Sequence, residues 1–473
     1  MTGPGAEKAE QSTTHRWQAL VVCLLAGFMT LLDVSIVNVA LPSMQEGLQA
    51  PPVALGWVVS GYALTFGLVL VPAGRLGDDR GRGRMFMLAL LLFTLASAAA
   101  GFAQSATFLV ISRLVQGAAG GMLNPQVLGL IQQLFHGGER ARAFGMFGAV
   151  IGLSTAIGPL LGGLIIELAG SEQGWRWVFF VNVPIGLVGL LFAAKVLPRG
   201  SSTKGAHSLD LVGVLLLGGA LMALLLPLIQ RESGSGAPWY LVPAAPVLLV
   251  LFVLWERLYR KRGREPLIDL SLFGIRSYSF GSALGMLYFA GFTSIFFVLA
   301  LYFQRGLGYS PLEAGLAMTP FAIGSAVSSA LSGRLVNRFG RSLVVLGLVG
   351  ALAGLLVTDL LLSARFGASA GLVVAGPLLL AGLGSGFVIS PNQTVTLAKV
   401  DPARGGTAAG VQQTGQRLGT AIGTATASGL FFSSLAGGGW DAAISAGLLV
   451  AVAFVALALV LAVVEQLVLT RRR

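Results

Sequence analysis

The loop sequence GRLGDDRGR at residues 74–82 occurs a second time, as GRLVNRFGR, at residues 333–341. A shorter echo, TAIG, stands at residues 155–158 and again at residues 420–423. Both echoes align the first part of the chain with the last part in the same direction, as expected of a duplicated unit. The chain is therefore predicted to contain two similar halves arranged in parallel.

The composition places these halves in a membrane. Of the 473 residues, 55% are hydrophobic and only 11% are charged, and the mean hydropathy is +0.83. A soluble domain carries about 25% charged residues, so an ordinary soluble enzyme, a disordered chain and a fibre are excluded. A bilayer needs about 20 apolar residues for each spanning helix. Fourteen apolar segments follow one another, at residues 17–42, 53–73, 85–104, 106–133, 141–169, 176–197, 209–229, 239–258, 278–304, 311–333, 343–364, 369–391, 405–434 and 440–468.

These segments are predicted to be helices, because none shows the alternation of polar and apolar residues that a strand of a membrane barrel requires. The single cysteine, Cys23, lies in the first segment, so no intramolecular disulfide can form and we interpret this residue as packing. The expected fold class is an all-α integral membrane protein.

Most basic residues fall on one side of the predicted membrane. About 25 of the 31 lysines and arginines lie in the tails and in the even-numbered loops, a bias that marks the cytoplasmic side. Both termini are therefore predicted in the cytoplasm, which requires an even number of spans. The same bias accounts for the net charge of +12, so no nucleic-acid partner is expected.

The two echoes divide the chain into units. They map spans 1–6 onto spans 9–14 and leave spans 7 and 8 as an inserted hairpin. The predicted units are a cytoplasmic N-terminal tail, a first six-helix bundle, an insert with a basic linker, a second six-helix bundle and a basic C-terminal tail, at residues 1–16, 17–200, 201–276, 277–468 and 469–473. Parallel halves with a site at their interface are a transporter architecture.

Four stretches of sequence then match a known family. They are LDVSIVNVALP at 32–42, the set Arg113, Gln116, Gly117 and Gly120, the set of Gly152 with GPLLGG at 158–163, and WRWVFFVNVPIG at 175–186. With the loop at 74–82, they occur in the order found in the fourteen-helix drug:proton antiporter branch of the major facilitator superfamily, which the sequence resembles over nearly its whole length.

The resemblance implies a major facilitator fold of two six-helix bundles with a central two-helix insert, and a multi-pass exporter of the cytoplasmic membrane. Two departures stand in the loop copies. Asp79 replaces the usual basic residue and is expected to weaken the ion pairs of the loop, whereas Asn337 replaces an acid of the second copy and is expected to change little.

The energy source is predicted to be an ion gradient. A phosphate-binding loop needs Gly-Lys followed by Ser or Thr, and none of the lysines follows a glycine. His15, His136 and His207 all lie outside the spans, so a carboxylate must carry any proton. Protons are the expected coupling ion, and no other cofactor is expected.

Few charged residues lie deep in the spans, where each costs about 2.5–3.5 kcal/mol and is a candidate functional group. Asp33 in span 1 and Arg113 in span 4 lie at similar depth, so they are able to meet. We interpret this pair as the proton-coupling site, and a fixed structural ion pair is the alternative. Asp359 and Arg417 are weaker candidates.

The cavity is predicted from polar faces and aromatic side chains. Arg113, Gln116 and Asn124 share one face of span 4 with Gly117 and Gly120, and this face is expected to line the cavity. Gln413 belongs to a similar stripe on span 13, for which hydrogen bonding between helices is an equal alternative. Two tyrosines complete the cavity candidates: Tyr62 and Tyr288.

Conformational gating is assigned to two small-residue regions. In the loop copy at 74–82, Gly74 and Gly81 are expected to allow a tight turn, and Asp78 is expected to cap a helix or to pair with Arg82. Span 5 contains small residues that allow close helix approach and a proline that bends the helix: Gly148, Gly152, Gly158, Pro159 and Gly162. They are expected either to serve helix packing alone or also to seal the contact between the two halves.

The predicted function is proton-coupled export of an amphipathic drug or antibiotic by alternating access. A lipid or natural-product transporter of the same fold is the alternative reading. An enzyme is not expected, since no catalytic cluster and no metal site can be read from the sequence. The expected partners are a small amphipathic substrate, protons and membrane lipids, with the chain acting as a monomer.

Overall fold

The computed structural model describes residues 4–170, 172–198, 210–232, 238–364 and 367–470, and within these ranges it contains helices and turns but no strand. The long helices are α1 (Pro4–Leu48), α2 (Pro52–Arg80), α3 (Arg82–Gly101), α4 (Ala106–Leu134), α5 (Gly137–Ala169), α6 (Gly174–Phe180 and Asn182–Val196), α7 (Leu211–Glu232), α8 (Ala244–Lys261), α9 (Arg276–Leu301), α10 (Pro311–Phe339), α11 (Arg341–Leu362), α12 (Ala375–Leu397), α13 (405–438) and α14 (440–470).

Twelve helices in the described ranges are long and apolar enough to cross a membrane. One of them is the 66-residue run Gly405–Thr470, which is two helices because Gly439 has a non-helical backbone with φ 75°. The helix α12 is also long enough to cross a membrane. It is not among the twelve because glycines and a polar C-terminal end lower its mean hydropathy. The described residues therefore form fourteen long helices, and the predicted all-α fold is confirmed.

The twelfth predicted segment, 369–391, has wrong boundaries. The helix α12 ends at Leu397, six residues later, and the added turns are polar. These side chains are buried rather than solvated: Asn392 is 4% exposed, and its Nδ2 donates to the carbonyl oxygen of Gly281 at 2.9 Å. Hydropathy alone ended the segment too early, because the added turns are buried between helices, where Asn392 finds a partner.

In both copies of the duplicated loop, a glycine with positive φ separates two helices. Gly81 separates α2 from α3 with φ 100°, and Gly340 separates α10 from α11 with φ 51°. Both values lie in the region that favours glycine. The prediction for Gly81 is thus correct, whereas Gly74 lies inside α2 and forms no turn.

Each half has its own core, and the halves meet along two seams. Large buried side chains include Phe86 and Phe93 in the first half and Phe303 and Phe431 in the second. The helix α2 packs against α13 at one seam, and α5 packs against α10 at the other. The side of the protein that carries the loop at 74–82 is called the loop side below.

The inserted hairpin covers the α2–α13 seam. Leu217 and Leu221 of α7 pack with Phe252 of α8 against Val71 of α2, and Leu418 of α13 joins the same cluster. The helix α7 therefore contacts both halves, while α8 packs mainly on α7. Residues 201–209 of the predicted linker and 471–473 of the predicted basic tail lie outside the described residues.

Candidate functional site

Asp33 of α1 is fully enclosed. Its Oδ2 accepts a hydrogen bond from Arg113 Nη1 at 2.6 Å, and its Oδ1 accepts from Gln116 Nε2 at 2.9 Å and from Asn182 Nδ2 at 3.0 Å. All three partners donate, so the arrangement satisfies an ionised carboxylate. The structure thus brings Asp33 and Arg113 together, and it places Gln116 on the carboxylate rather than in the cavity wall.

Asn182 is a member of this site that the sequence reasoning did not single out. It follows the break at Val181 between the two parts of α6, and it also donates to Ser97 Oγ at 3.1 Å. The residue lies within the stretch 175–186 that carries the family resemblance, so the signal was present. Its role could not be read because an asparagine in a span is consistent with many hydrogen-bond partners.

Arg113 is held on several sides. Its Nε donates to the carbonyl oxygen of Val58 at 3.0 Å, and its Nη1 also donates to Gln116 Oε1 at 2.8 Å. The guanidinium lies 4.2 Å from the centroid of the Tyr62 ring, a cation–π contact. The cation is therefore fixed in orientation towards Asp33.

The glycines of α4 do not line the cavity as predicted. A Cβ at Gly117 would overlap the backbone of Tyr62, and a Cβ at Gly120 would lie 2.9 Å from Tyr62 Oη. Both glycines therefore let α4 approach α2 closely. On this face of α4, Asn124 does line the cavity.

Tyr62 and Phe66 connect the carboxylate site with a second arginine. Their ring centroids are 5.9 Å apart on α2, and the guanidinium carbon of Arg417 lies 4.3 Å from the centroid of Phe66. A continuous path of contacts thus runs from Arg113 in the first half to Arg417 in the second. Tyr62 is 3% exposed and does not line the cavity, contrary to its prediction, because its ring covers Arg113.

The central cavity lies between the halves. Aromatic side chains of α5 and α9 form part of its wall, including Phe144, Phe147 and Phe289. Its polar lining comes from α4, α12 and α13: Asn124, Ser390, Gln393, Gln413, Gln416 and Arg417. Gln413 and Arg417 therefore reach the cavity, and Ser390 and Gln393 are two lining residues that the sequence reasoning missed.

The cavity is small in this conformation. Its volume is about 60 Å³, room for a few water molecules at roughly 10–15 Å³ each. A pocket for a drug-sized ligand measures about 300–1,000 Å³. Binding of such a ligand therefore requires the two halves to separate around these residues.

Tyr288 was predicted to line the cavity, and the structure places it elsewhere. It is 2% exposed and packs in the core of the second half, 5.9 Å from Phe292 between ring centroids. On α9 it is the neighbouring residue, Phe289, that faces the cavity. A helix turns by about 100° per residue, so Tyr288 points in a different direction from Phe289, into the core of the second half.

The loop at 74–82 joins the halves on the loop side. Asp78 pairs with Arg82 at 2.6 Å, and it also accepts hydrogen bonds from Gly406 N at 3.0 Å and from both Thr407 N and Thr407 Oγ1 at 2.8 Å. Asp78 therefore caps the N-terminus of α13, where the helix dipole favours a negative charge. We call this set of contacts the latch.

Arg82 and Gly74 complete the latch. Arg82 donates to Gly129 O at 2.6 Å and to Pro402 O, so it contacts both halves. A Cβ at Gly74 would overlap the carbonyl group of Gly406, so Gly74 serves close approach of α2 and α13 rather than a turn. The expectation that Asp79 weakens the ion pairs is wrong, because Asp79 Oδ2 lies 3.2 Å from Arg75 Nε and adds one.

The linker between α8 and α9 is tied to both halves. Glu265 pairs with Arg75 of α2, and Asp269 pairs with Arg404 just before α13 and with Arg260 at 3.1 Å. Burial raises the pKa of the Asp269 carboxyl, but the backbone N–H of Ser271 and the two guanidinium groups outweigh it, so the pKa lies below its usual value. These pairs reinforce the loop side at neutral pH.

The glycines of α5 serve two different contacts. A Cβ at Gly152 would lie 3.0 Å from Ala326 N of α10, so this glycine lies at the seam between the halves. Gly158 and Gly162 instead face α1, where a Cβ at Gly158 would overlap Ser35 Oγ. Pro159 packs against Gly315 of α10. One stripe of small residues thus supports both the bundle and the seam.

Substituting Gly158 with Ala is expected to destabilise the protein, because the added methyl group overlaps Ser35. Overpacking of this kind costs about 1–3 kcal/mol. Thermal unfolding in detergent should show a lower midpoint for Gly158→Ala, and adding Ser35→Gly should recover part of the loss. Gly163→Ala is the control, since no atom lies within 4 Å of its new Cβ; equal midpoints for Gly158→Ala and Gly163→Ala would contradict the assignment.

Two further acidic residues lie away from the cavity. Asp359 of α11 accepts from Ser445 Oγ at 3.2 Å and is not among the cavity-lining residues. Glu465 of α14 is 1% exposed and pairs with Arg341 at 2.6 Å. In the second loop copy, Arg341 corresponds to Arg82 and Asn337 corresponds to Asp78. Because Asn337 carries no charge, Glu465 supplies the acidic partner of Arg341 instead. Among the described residues, no group of three His, Cys, Asp or Glu side chains is arranged to hold a metal ion.

Two helical halves with a buried ion pair, a central cavity and a latch across their junction define a membrane transporter. The sequence model of the Major Facilitator Superfamily matches residues 23–424 and 281–471. The chain belongs to this family, whose members are multi-pass membrane transporters rather than enzymes.

The relatives of this chain include antibiotic exporters. It is 36% identical to the probable actinorhodin transporter of Streptomyces coelicolor over 439 residues, 92% of this chain and 76% of the relative. It is also 36% identical to the puromycin resistance protein of Streptomyces alboniger, over 87% of this chain and 81% of the relative. A solved human organic anion transporter, at 18% identity, superposes with a TM-score of 0.69 over 94% of this chain and 99% of the other, which shows a shared fold.

Proposed function

We propose that this protein is a secondary active exporter that exchanges amphipathic drugs or antibiotics for protons by alternating access. The proposal is supported above all by the enclosed carboxylate of Asp33 with its three donors. Protonation of Asp33 would remove the charge that holds Arg113, Gln116 and Asn182 together. A proton therefore acts on contacts that join α1, α4 and α6.

The direction of exchange follows from the latch. With the loop side in the cytoplasm, as the distribution of lysines and arginines favours, the latch closes the cytoplasmic side, and the three donors around Asp33 suit a carboxylate that carries no proton. A proton from outside would bind next, the halves would rock, and the proton would leave on the cytoplasmic side as substrate enters the cavity. Both termini are cytoplasmic in this proposal, and the chain works as a monomer in the cytoplasmic membrane with protons as its coupling ion.

Coupling from the proton site to the cavity runs along α2. Loss of the Asp33 charge frees Arg113, whose guanidinium rests on Tyr62, and Tyr62 is followed by Phe66 and Arg417. Because Arg417 lines the cavity, a shift of this aromatic pair changes the position of a cavity charge. The ion pair of Asp33 and Arg113 is thus given a transport role rather than a purely structural one.

A natural product or other metabolite as physiological cargo is the second candidate. One relative, 29% identical over 89% of both chains, is the riboflavin transporter of Clostridioides difficile, so this branch of relatives includes transporters of metabolites. The same residues would carry the transport cycle, and only the cargo would differ.

The test is uptake into everted membrane vesicles with an imposed proton gradient. The panel contains lipophilic cations, neutral antibiotics, aromatic acids and lipid analogues. We expect at least one compound to accumulate with the gradient and to leave after a protonophore is added. If the uptake of every panel member is independent of the gradient, proton coupling is overturned.

A further inference from the structure

Arg417 is the one charged side chain in the described lining of the central cavity. No carboxylate oxygen lies within 4 Å of it among the described residues, and its guanidinium rests on the Phe66 ring at 4.3 Å. The other deep acid, Asp33, is already neutralised by Arg113 and has no exposed surface. The cavity therefore carries a net positive charge.

The cavity also presents hydrogen-bond donors that have no partner. Ser390 Oγ and Gln393 Nε2 are unpartnered among the described residues, although the side chains are only 2% and 8% exposed. Both residues line the cavity with Arg417. A cation without a carboxylate partner in a membrane-spanning helix and buried donors without acceptors are costly, and such groups are retained where a ligand satisfies them.

The remaining wall is apolar and aromatic. Phe144, Phe147 and Phe289 line the cavity from two helices in different halves. Aromatic rings of this kind pack on the faces of a flat apolar compound. The acceptor and the negative charge must then be carried by one end of the ligand, at the side of α12 and α13.

We infer that the central cavity binds organic anions, namely aromatic compounds whose anionic oxygen pairs with Arg417 and accepts hydrogen bonds from Ser390 and Gln393. This inference rests on the proposed function, because it names the substrate class of the same cavity. The anionic oxygen belongs to a carboxylate or an ionised phenol of a free compound, and the phosphate of an anionic lipid offers the same chemistry.

The experiment compares two xanthene dyes of similar size and opposite charge. Fluorescein is anionic and rhodamine 6G is cationic, so the ring system is held nearly constant while the charge changes. Binding is measured by fluorescence anisotropy with purified protein in phosphatidylcholine nanodiscs, which needs no gradient. We expect fluorescein to bind more tightly than rhodamine 6G, and stronger binding of rhodamine 6G would overturn the inference.

Variants locate the effect at Arg417. Arg417→Gln should weaken fluorescein binding roughly tenfold to a hundredfold, as loss of a charged hydrogen-bond partner does, and Arg417→Lys should lose less. Arg417→Glu should reverse the preference towards rhodamine 6G. Arg305→Gln is the control, since Arg305 is an exposed arginine outside the cavity lining. Equal fluorescein affinity in wild type and Arg417→Gln would overturn the assignment even if both proteins fold.

Two further arms separate the sources and the claims. Nanodiscs that also contain phosphatidylglycerol should leave fluorescein binding unchanged if the ligand is a free organic anion, and competition would assign the site to an anionic lipid. Fluorescein that binds through Arg417, in a protein that drives no panel compound into energised everted vesicles, would refute the proposed export while the anion site stands. If rhodamine 6G alone is taken up with the gradient, the anion site is refuted and the proposed export stands.

Discussion

Asp33→Asn is expected to abolish proton-driven accumulation while substrate exchange without a gradient continues. The asparagine keeps the shape of the side chain but carries no charge to gain or lose, so proton binding can no longer change the contacts of Arg113. Gradient-driven uptake should fall to the level of vesicles that lack the protein. Exchange of labelled for unlabelled substrate at equal pH should persist, because alternating access itself does not require the proton.

A stability control separates lost coupling from lost folding. Asp33→Asn leaves the enclosed guanidinium of Arg113 without its counter-charge, and breaking a buried pair in this way costs about 3–5 kcal/mol. The double variant Asp33→Asn with Arg113→Gln removes both charges and should recover part of the lost thermal stability but none of the coupling. Near-normal pH-dependent efflux by Asp33→Asn would sink the role assigned to this carboxylate.

The sequence sufficed for the fold because its signals are long. Fourteen apolar segments, a duplicated loop and a bias of basic residues are each spread over many residues, so local errors do not alter the outcome. The meeting of Asp33 with Arg113 was also predictable, because depth in a membrane is read from distance along a helix. These features depend on chain position alone.

What could not be predicted depends on side-chain direction and on partners far along the chain. Arg341 pairs with Glu465, 124 residues away, and no local pattern selects that partner. Ser390 and Gln393 belong to a polar stretch that hydropathy placed at or beyond the end of a helix. Tyr62 and Tyr288 were placed in the cavity from residue type, whereas Phe289 faces it because of a rotation by one residue.

Release of the latch is the second large effect that we expect. Asp78→Asn removes the charge that pairs with Arg82 and that accepts from the first N–H groups of α13. Charge-assisted hydrogen bonds contribute about 1.5–3 kcal/mol each. Losing even one should shift the population towards the form open on the loop side by roughly tenfold to a hundredfold, and uptake should fall because the form open to the other side becomes rare.

The shift can be measured with a single buried cysteine. Ala409 on α13 is fully buried next to the latch, so Ala409→Cys in a Cys23→Ser background should react slowly with an impermeant maleimide. Asp78→Asn should accelerate the labelling in everted vesicles, where the loop side faces the reagent if it is cytoplasmic. Asp79→Asn is the matched control, because it alters the neighbouring carboxylate, which pairs with Arg75 within α2 rather than across the seam.

The two variants together decide what the duplicated loop does. If the loop were only a solvated cluster of charges, Asp78→Asn and Asp79→Asn would change labelling equally, since each removes one negative charge from the same loop. The latch predicts a large effect for Asp78 and a small one for Asp79, because only Asp78 caps a helix of the opposite half. Slow labelling that is unchanged by Asp78→Asn would show that other contacts, such as the close approach of Gly74 to Gly406, hold the loop side closed.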